Sequence, residues 1–403
     1  MAGRILNISK RAKETQFSPI RKFVPLLEEV KKRGIEVFEL HIGQPDLPTP
    51  KEILREIRSF DGKILAYTPS SGILETRVAW QKYYKSAGIS FDVSEIIVTV
   101  GGSEAILFAF AAICSPGEEI IVFEPFYANY NGYASMAGIR LAPLTTFAEN
   151  GFHLPSKKAI EEKINKKTRG ILICNPNNPT GTVYGKKELR MIADIAKEHN
   201  LFILSDETYR EFVYDGKIHC SMMVFADIRD RVILLDSLSK RFNACGLRIG
   251  CLASKNKEVI EGATKFAQAR LSAPMIEQLA AVPLLEHCRE YTKKVAAEYQ
   301  KRRNTVFKEI EKIPNILCSR QKGAFYAILK LSIKDTDHFA EWLLKEFSFK
   351  GKTLLVAPGS GFYATKNLGK DEIRIAFVLS SSKLKQAIRI LKKGLERYLS
   401  IMV

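Results

Sequence analysis

No stretch of 18 consecutive apolar residues occurs in this 403-residue sequence, which excludes a membrane-spanning helix. The opening stretch, MAGRILNISKRAKETQF, is basic but lacks the apolar core of about 7 to 15 residues that a secretory signal needs, so cytoplasmic residence is expected. Cysteine gives no metal frame. Its seven copies, at 114, 174, 220, 245, 251, 288 and 318, form no CxxC pair or other ligand spacing and predict reduced, mostly buried thiols. The six histidines are scattered. His219 adjoins Cys220, but neighbouring side chains in an extended segment point to opposite faces, so no metal site is expected.

Acidic residues are few beside basic ones, 44 against 62, for a formal net charge of +18. Such a balance suits nucleic acid only when the cations cluster, because clustered Lys and Arg displace phosphate counterions. Here they recur along most of the chain, often beside acids, as in KKELRMIADIAKEHN and KKVAAEYQKRRNTVFKEIEKI, and no nucleic-acid recognition motif is found. A solvated surface with some attraction for anionic substrates is the better reading, with no nucleic-acid or membrane partner.

Short apolar runs alternate with amphipathic stretches at 96–100 (IIVTV), 119–123 (EIIVF), 170–174 (GILIC), 201–205 (LFILS) and 231–235 (RVILL). Runs apolar on both alternate faces predict strands covered by helices on both sides, hence an α/β domain with a mostly parallel sheet. GGSEAILFAFAAI and KKELRMIADIAKEHN are predicted crossover helices. After about residue 285 the pattern changes to a long charged helix over roughly 288–312, a few short strands and a closing amphipathic helix, SSKLKQAIRILKKGLERYL. The division is therefore a large α/β domain over 50–285 and a smaller α+β domain formed by 1–49 and 286–403.

Four strand ends carry chemistry-bearing residues. In the run from Ser237 to Gly250, small hydroxyl residues precede Lys240, and Arg248 follows eight residues later among glycines. That suits a bound phosphate beside a reactive amine. In VTVGGSEA a glycine turn opens a helix, whose free N–H groups and dipole make Gly102 and Ser103 anion contacts. Asp206, in SDETY, is on local grounds also an acceptable helix cap, and the NPNNPTG stretch at 175–181 reads equally well as an ordinary turn.

Taken together, these motifs resemble the class I/II aminotransferases of the pyridoxal 5′-phosphate (PLP)-dependent fold type I, in the expected order and over nearly the full chain. The Ser237–Gly250 run is similar to the family's cofactor attachment site, which implies that Lys240 holds PLP as a Schiff base, that Ser237 lies beside it and that Arg248 grips the phosphate. NPNNPTG resembles the family's NPTG turn, implying that Asn178 bonds the cofactor's 3-oxygen and borders the substrate. SDETY resembles its DExY motif, with Asp206 facing the pyridine nitrogen and Tyr209 the 3-oxygen. An anion within about 4 Å of that nitrogen keeps the ring protonated, which makes it the better electron sink.

Other matches complete the site. VTVGGSEA resembles the TxGxxxA phosphate segment, and of Phe126 and Tyr127 the latter is taken as the aromatic over the pyridine. Gly43, in HIGQPD, resembles the glycine whose backbone approaches the substrate carboxylate. Arg374, in RIAF after the PGSGF loop, implies the two-pronged bond to that carboxylate; the alternative is a surface arginine on an edge strand. Tyr67, Gly72 and Arg77 resemble a Y-x4-G-x4-R element whose tyrosine reaches the phosphate of the neighbouring subunit, which implies a homodimer with shared active sites. Thr76 stands where the family usually has leucine, which weakens Arg77.

The resemblance implies ping-pong transfer of the α-amino group from an amino acid to a 2-oxo acid, with Lys240 as the base. Aspartate with 2-oxoglutarate is the first expectation, then aromatic or alanine and broad-range donors, then a PLP-dependent C–S β-lyase. A PLP-sensing transcription regulator is disfavoured, because the enzyme motifs begin by residue 43 and leave no room for a DNA-binding module of about 70 residues.

Overall fold

In the computed structural model, which describes residues 6–402 apart from residue 288, helices Lys10–Glu14 and Val24–Lys32 lead into the first strand, β1 (Glu36–Glu39). Seven strands of one sheet follow: β2 (Ile96–Val100), β3 (Glu119–Glu124), β4 (Arg140–Thr145), β5 (Thr168–Cys174), β6 (Phe202–Asp206), β7 (Val232–Ser237) and β8 (Ile249–Ser254). Their order is β2-β8-β7-β6-β5-β3-β4. Strands β7, β6, β5, β3 and β4 pair in parallel, and β8 runs antiparallel between β7 and β2.

Alternate residues of each run are buried on opposite faces, which is why the runs are apolar throughout. Ile96, Val98, Val232 and Leu234 enter one core layer, while Ile97, Ile233 and Leu235 enter the other. Each fully buried aliphatic side chain stabilises by about 1.5–3 kcal/mol. The predicted crossovers form helices Gly101–Ile113 and Lys186–Glu198. Two strands escaped the sequence reading. β4 contains Pro143, which suits only an edge strand, and β4 is the edge. β8 begins straight after the lysine motif, and Gly250 and Ala253 weaken its apolar signal.

The rest of the chain forms β9 (Tyr326–Lys330), β10 (Lys352–Leu355), β11 (Ala357–Pro358) and β12 (Glu372–Ala376). β12 lies between β11 and β9 in an antiparallel sheet, and β1 pairs in parallel with β10. Helices Arg289–Ile310 and Ser381–Met402 flank them. No described helix is long and apolar enough to cross a membrane.

Cys288 and the first five residues of the opening basic stretch lie outside the described residues. Of the other thiols, Cys114, Cys174 and Cys251 are buried, whereas Cys220, Cys245 and Cys318 are only half-buried. The expectation of mostly buried cysteines is corrected accordingly.

Candidate active site

The carboxyl ends of the parallel strands open on one cavity of ≈ 590 Å³. That is where open α/β sheets bind ligands. Ser237 ends β7, Asp206 ends β6, Asn178 follows β5, Tyr127 follows β3, and Gly102 and Ser103 open the helix after β2; all line this cavity. Lys240, Arg248, Tyr209, Gly43 and Arg374 line it too.

At one end is a cradle for an anion. Gly101 has φ +70°, and a Cβ on it would stand 2.5 Å from Nη2 of Arg248, so any other residue there adds backbone strain and displaces the guanidinium. Behind it Gly250 lies against the Asp236 carbonyl and the Gly101 backbone. Arg248 is itself left-handed, at φ +54°, and its Nη1 donates to the Cys245 carbonyl at 3.0 Å and to Ser239 Oγ at 3.4 Å. Backbone held in this region costs energy and marks sites where the surroundings fix it. Ser237 Oγ accepts from the Ser239 N–H and bonds Ser239 Oγ at 2.9 Å. Helix N–H groups, two hydroxyls and a guanidinium therefore converge on one spot.

The cavity floor is aromatic and carboxylate-bearing. Asp206 is buried, and its carboxylate accepts from Tyr130 Oη at 2.6 Å and from the Thr208 N–H at 3.1 Å. Burial raises its pKa, since no described cation faces it. The Thr208 contact closes a turn, and no described helix begins between β6 and residue 222, so the helix-cap alternative for Asp206 is corrected. Asn178 Nδ2 donates to Tyr209 Oη at 3.4 Å, and Tyr209 Oη meets Tyr326 Oη at 2.9 Å. Tyr127 borders the cavity edge-on to Tyr130, whereas Phe126 is turned into the core.

Lys240 Nζ donates to the Gly43 carbonyl at 2.9 Å and lies 3.7 Å from Cys245 Sγ, with no ion pair among the described residues. Gly43 is fixed by Tyr326, whose hydroxyl would be 1.7 Å from a Cβ there. Arg374 sits in the middle strand of its sheet and is 1% exposed, so it is neither on an edge strand nor at the surface. Its guanidinium donates to Asn178 Oδ1 at 3.2 Å and to the His41 carbonyl, lies over Tyr326 and Phe362, and leaves Nε without a partner. No described carboxylate reaches it, and burial lowers its pKa. His41 is buried beside it and pushed down to about 4, chiefly by burial.

Tyr67 does not line this cavity and is 80% exposed. Arg77 is also elsewhere, with Nη1 3.4 Å from the Val93 carbonyl. Thr76 is buried and donates to the Gln278 carbonyl at 3.0 Å, which gives its departure from leucine a packing role. Sequence reasoning missed Tyr326, Tyr130, Cys245 and Arg21. Cys245 lay inside the lysine motif and Tyr130 in the EPFYANY segment that carries Tyr127; Tyr326 and Arg21 arrive from segments with no signature of their own.

The family profile for aminotransferase class I and II matches residues 35–391. An aspartate aminotransferase of Pyrococcus horikoshii is 34% identical over 395 residues, covering 96% of this chain and 97% of the relative. An aromatic-amino-acid aminotransferase of Thermococcus litoralis is 34% identical over 402 residues, covering 96% and 98%. A solved single mutant of the Thermus thermophilus aspartate aminotransferase superposes with a TM-score of 0.88 at 28% identity, over 97% of this chain and 100% of that one. Pyrococcus furiosus alanine aminotransferase does so at 0.88 and 30% identity, again over 97% and 100%. The chain belongs to the class I and II aminotransferases, enzymes of the fold type I architecture that use pyridoxal 5′-phosphate to transfer amino groups between amino acids and 2-oxo acids.

Proposed function

We propose that this aminotransferase takes aspartate as donor and 2-oxoglutarate as acceptor. The observation that carries amino-acid and 2-oxo-acid recognition, though not the choice of donor, is Arg374, a fully buried guanidinium with an unpartnered Nε and no described carboxylate near it. A buried cation left in this state is stabilised by an incoming anion, and a planar fork of donors matches a carboxylate. The aspartate names of the Pyrococcus horikoshii and Thermus thermophilus proteins support the choice of donor. An aromatic donor is the second reading, favoured by the tyrosine lining of Tyr127, Tyr209 and Tyr326 and by the name of the Thermococcus relative.

The residues present fit a phosphorylated pyridine. Arg248, Ser237, and the helix start at Gly102 and Ser103 would hold the phosphate. Asp206, buried without a cation, would hold the protonated ring nitrogen, and Asn178 with Tyr209 the 3-oxygen. Tyr127 would cover the ring, and Lys240 would carry the covalent attachment. Bound PLP supplies a sink for the electron pair left when the α-proton departs. Arg374 and the Gly43 backbone orient the substrate by its α-carboxylate, so that the α-hydrogen faces the Lys240 amine. Lys240, once free, is the base that takes that proton, and the aromatic walls limit the access of water.

A homodimer belongs to the same reading. Tyr67, exposed and outside its own chain's cavity, would complete the neighbour's phosphate site, and sedimentation should give twice the 45.4 kDa chain mass. The division into domains 50–285 and 1–49 with 286–403, and a cytoplasmic location, complete it.

The test is the visible spectrum of the PLP-loaded protein, wild type beside Lys240→Ala, with aspartate, tyrosine and alanine added in turn. Loss of the visible band with aspartate first, and no such reaction in the variant, is expected. A faster response to tyrosine replaces aspartate with the aromatic reading. A band that no donor discharges moves the C–S β-lyase ahead.

A further inference from the structure

Tyr326 touches three parts of the site and belongs to none of its motifs. It opens β9, is buried and lines the cavity. Its Oη lies 2.9 Å from Tyr209 Oη, and the Arg374 guanidinium lies over its ring at 4.5 Å from the centroid. Its hydroxyl also stands where a side chain of residue 43 would be, against the glycine whose carbonyl accepts from Lys240.

The direction of the bonds around Tyr209 follows from which groups can donate. A guanidinium has no acceptor, so the Asn178 oxygen must be the atom that faces Arg374 Nη1, at 3.2 Å. The Asn178 NH2 group then donates to Tyr209 Oη, at 3.4 Å. Tyr209 thus accepts on that side, and its one hydrogen goes either to Tyr326 Oη or into the cavity. Two observations favour the cavity. Tyr209 Oη is the one hydrogen-bond partner of Tyr326 Oη among the described residues, and the Gly43 backbone closes off that hydroxyl on another side. A Tyr326 hydrogen turned away from Tyr209 would therefore be left in a buried place without a described acceptor. The Arg374 cation also attracts the negative face of the Tyr326 ring and favours donation by its hydroxyl.

We propose that Tyr326 is a positioning residue whose hydroxyl donates to Tyr209 and so turns the Tyr209 hydrogen onto the 3-oxygen of bound PLP. The proposal rests on the reading that places Tyr209 at that oxygen. With Asn178 and Tyr326 both donating to it, the Tyr209 hydroxyl has only its hydrogen left to offer. A hydroxyl that accepts is polarised into a stronger donor, which favours the negative form of the 3-oxygen. The other titratable groups facing the pair are Cys174, Tyr127 and Tyr299, all pushed up by burial, so Arg374 is the one charge among them near neutral pH. Asp206 and Lys240 share the cavity but bond to Tyr130 and to the Gly43 carbonyl.

The experiment follows the visible band of the PLP-loaded protein against pH in wild type, Tyr326→Phe, Tyr209→Phe and the double variant. Phenylalanine at 326 keeps a ring beneath Arg374 and removes only the hydroxyl. Tyr326→Phe should raise the midpoint of the band's titration by about 0.5–1 pH unit, the effect of one neutral hydrogen bond fewer behind the anion. It should add nothing once Tyr209 is replaced, since the effect passes through that hydroxyl. A midpoint that falls in Tyr326→Phe would mean that Tyr209 had been donating to Tyr326, and it overturns the proposal. So does a midpoint unmoved by Tyr326→Phe but moved by Tyr209→Phe, which leaves the placement of Tyr209 standing. An equal rise in both backgrounds overturns it as well, because Tyr326 would then act on the cofactor without Tyr209. A Tyr209→Phe protein that titrates as wild type does overturns the placement of Tyr209 and the proposal with it.

Discussion

A side chain on Gly101 would meet the guanidinium of Arg248: the Cβ would stand 2.5 Å from Nη2, at a backbone φ of +70°. The glycine turn after β2 and the arginine that precedes β8 are thus one device, although 147 residues separate them. Gly101→Ala adds left-handed strain of about 1–2 kcal/mol and pushes the guanidinium out of the anion cradle. The folded protein should persist at lower thermal stability while its PLP dissociation constant rises about tenfold or more, as read by titration of the visible band. Unchanged affinity would remove Arg248 from the phosphate site.

Arg374→Lys should separate substrate binding from cofactor binding. The fork that reaches Asn178 Oδ1 and the His41 carbonyl cannot be reproduced by one ammonium, and the substitution leaves both oxygens in a buried place with fewer donors. We expect kcat/KM to fall about 100-fold for every amino-acid donor, with the PLP spectrum of the resting enzyme intact. A loss confined to one donor would show that Arg374 recognises a side chain instead.

Much of this site could be read from the chain because its parts are local. The run from β7 through Lys240 to Arg248, and the turn from β2 into helix Gly101–Ile113, each place strand, glycine and functional residue within a few positions. Apolarity on both faces gave the parallel strands for the same reason. What stayed hidden depends on long-range packing. Tyr326 reaches Tyr209 across 117 residues, and it alone explains why position 43 must be glycine. β8 could not be recognised as the antiparallel strand between β2 and β7, since no local pattern encodes its partners. Arg21 is one of 62 basic residues until the docking of Pro19 and Ile20 brings it to the cavity.

Asp206→Asn tests a charge that is unfavourable alone and useful when countered. The carboxylate is buried with two neutral donors, and its pKa is raised by burial, so the cofactor-free protein should lose at most about 1 kcal/mol on its removal. On the proposed reading, the PLP-loaded enzyme also loses the anion that would keep the ring protonated. Activity should fall about 100-fold or more. Chemical unfolding of the cofactor-free protein, set beside turnover of the loaded one, separates the two effects. A large loss of stability without cofactor would make Asp206 a structural turn residue.

Glu372 gives the pH prediction. It precedes Arg374 on β12 by two residues, accepts from Tyr363 Oη at 2.7 Å, and is 5% exposed. Burial first, and then the nearby Asp371, raise its pKa from 4.5 to about 7. The folded state therefore favours the protonated acid. That contribution is fully present below pH 4.5 and is lost as pH rises through 7, after which it is flat. At 1.36 kcal/mol per unit the loss has a ceiling of about 3 kcal/mol. Glu372→Gln keeps an acceptor for the tyrosine and has no charge to bury, so it lacks the loss. Urea unfolding should find the variant close to wild type at pH 4.5 and more stable than wild type at pH 8. A difference that stays constant between those pH values would mean that Glu372 is not held protonated in the fold.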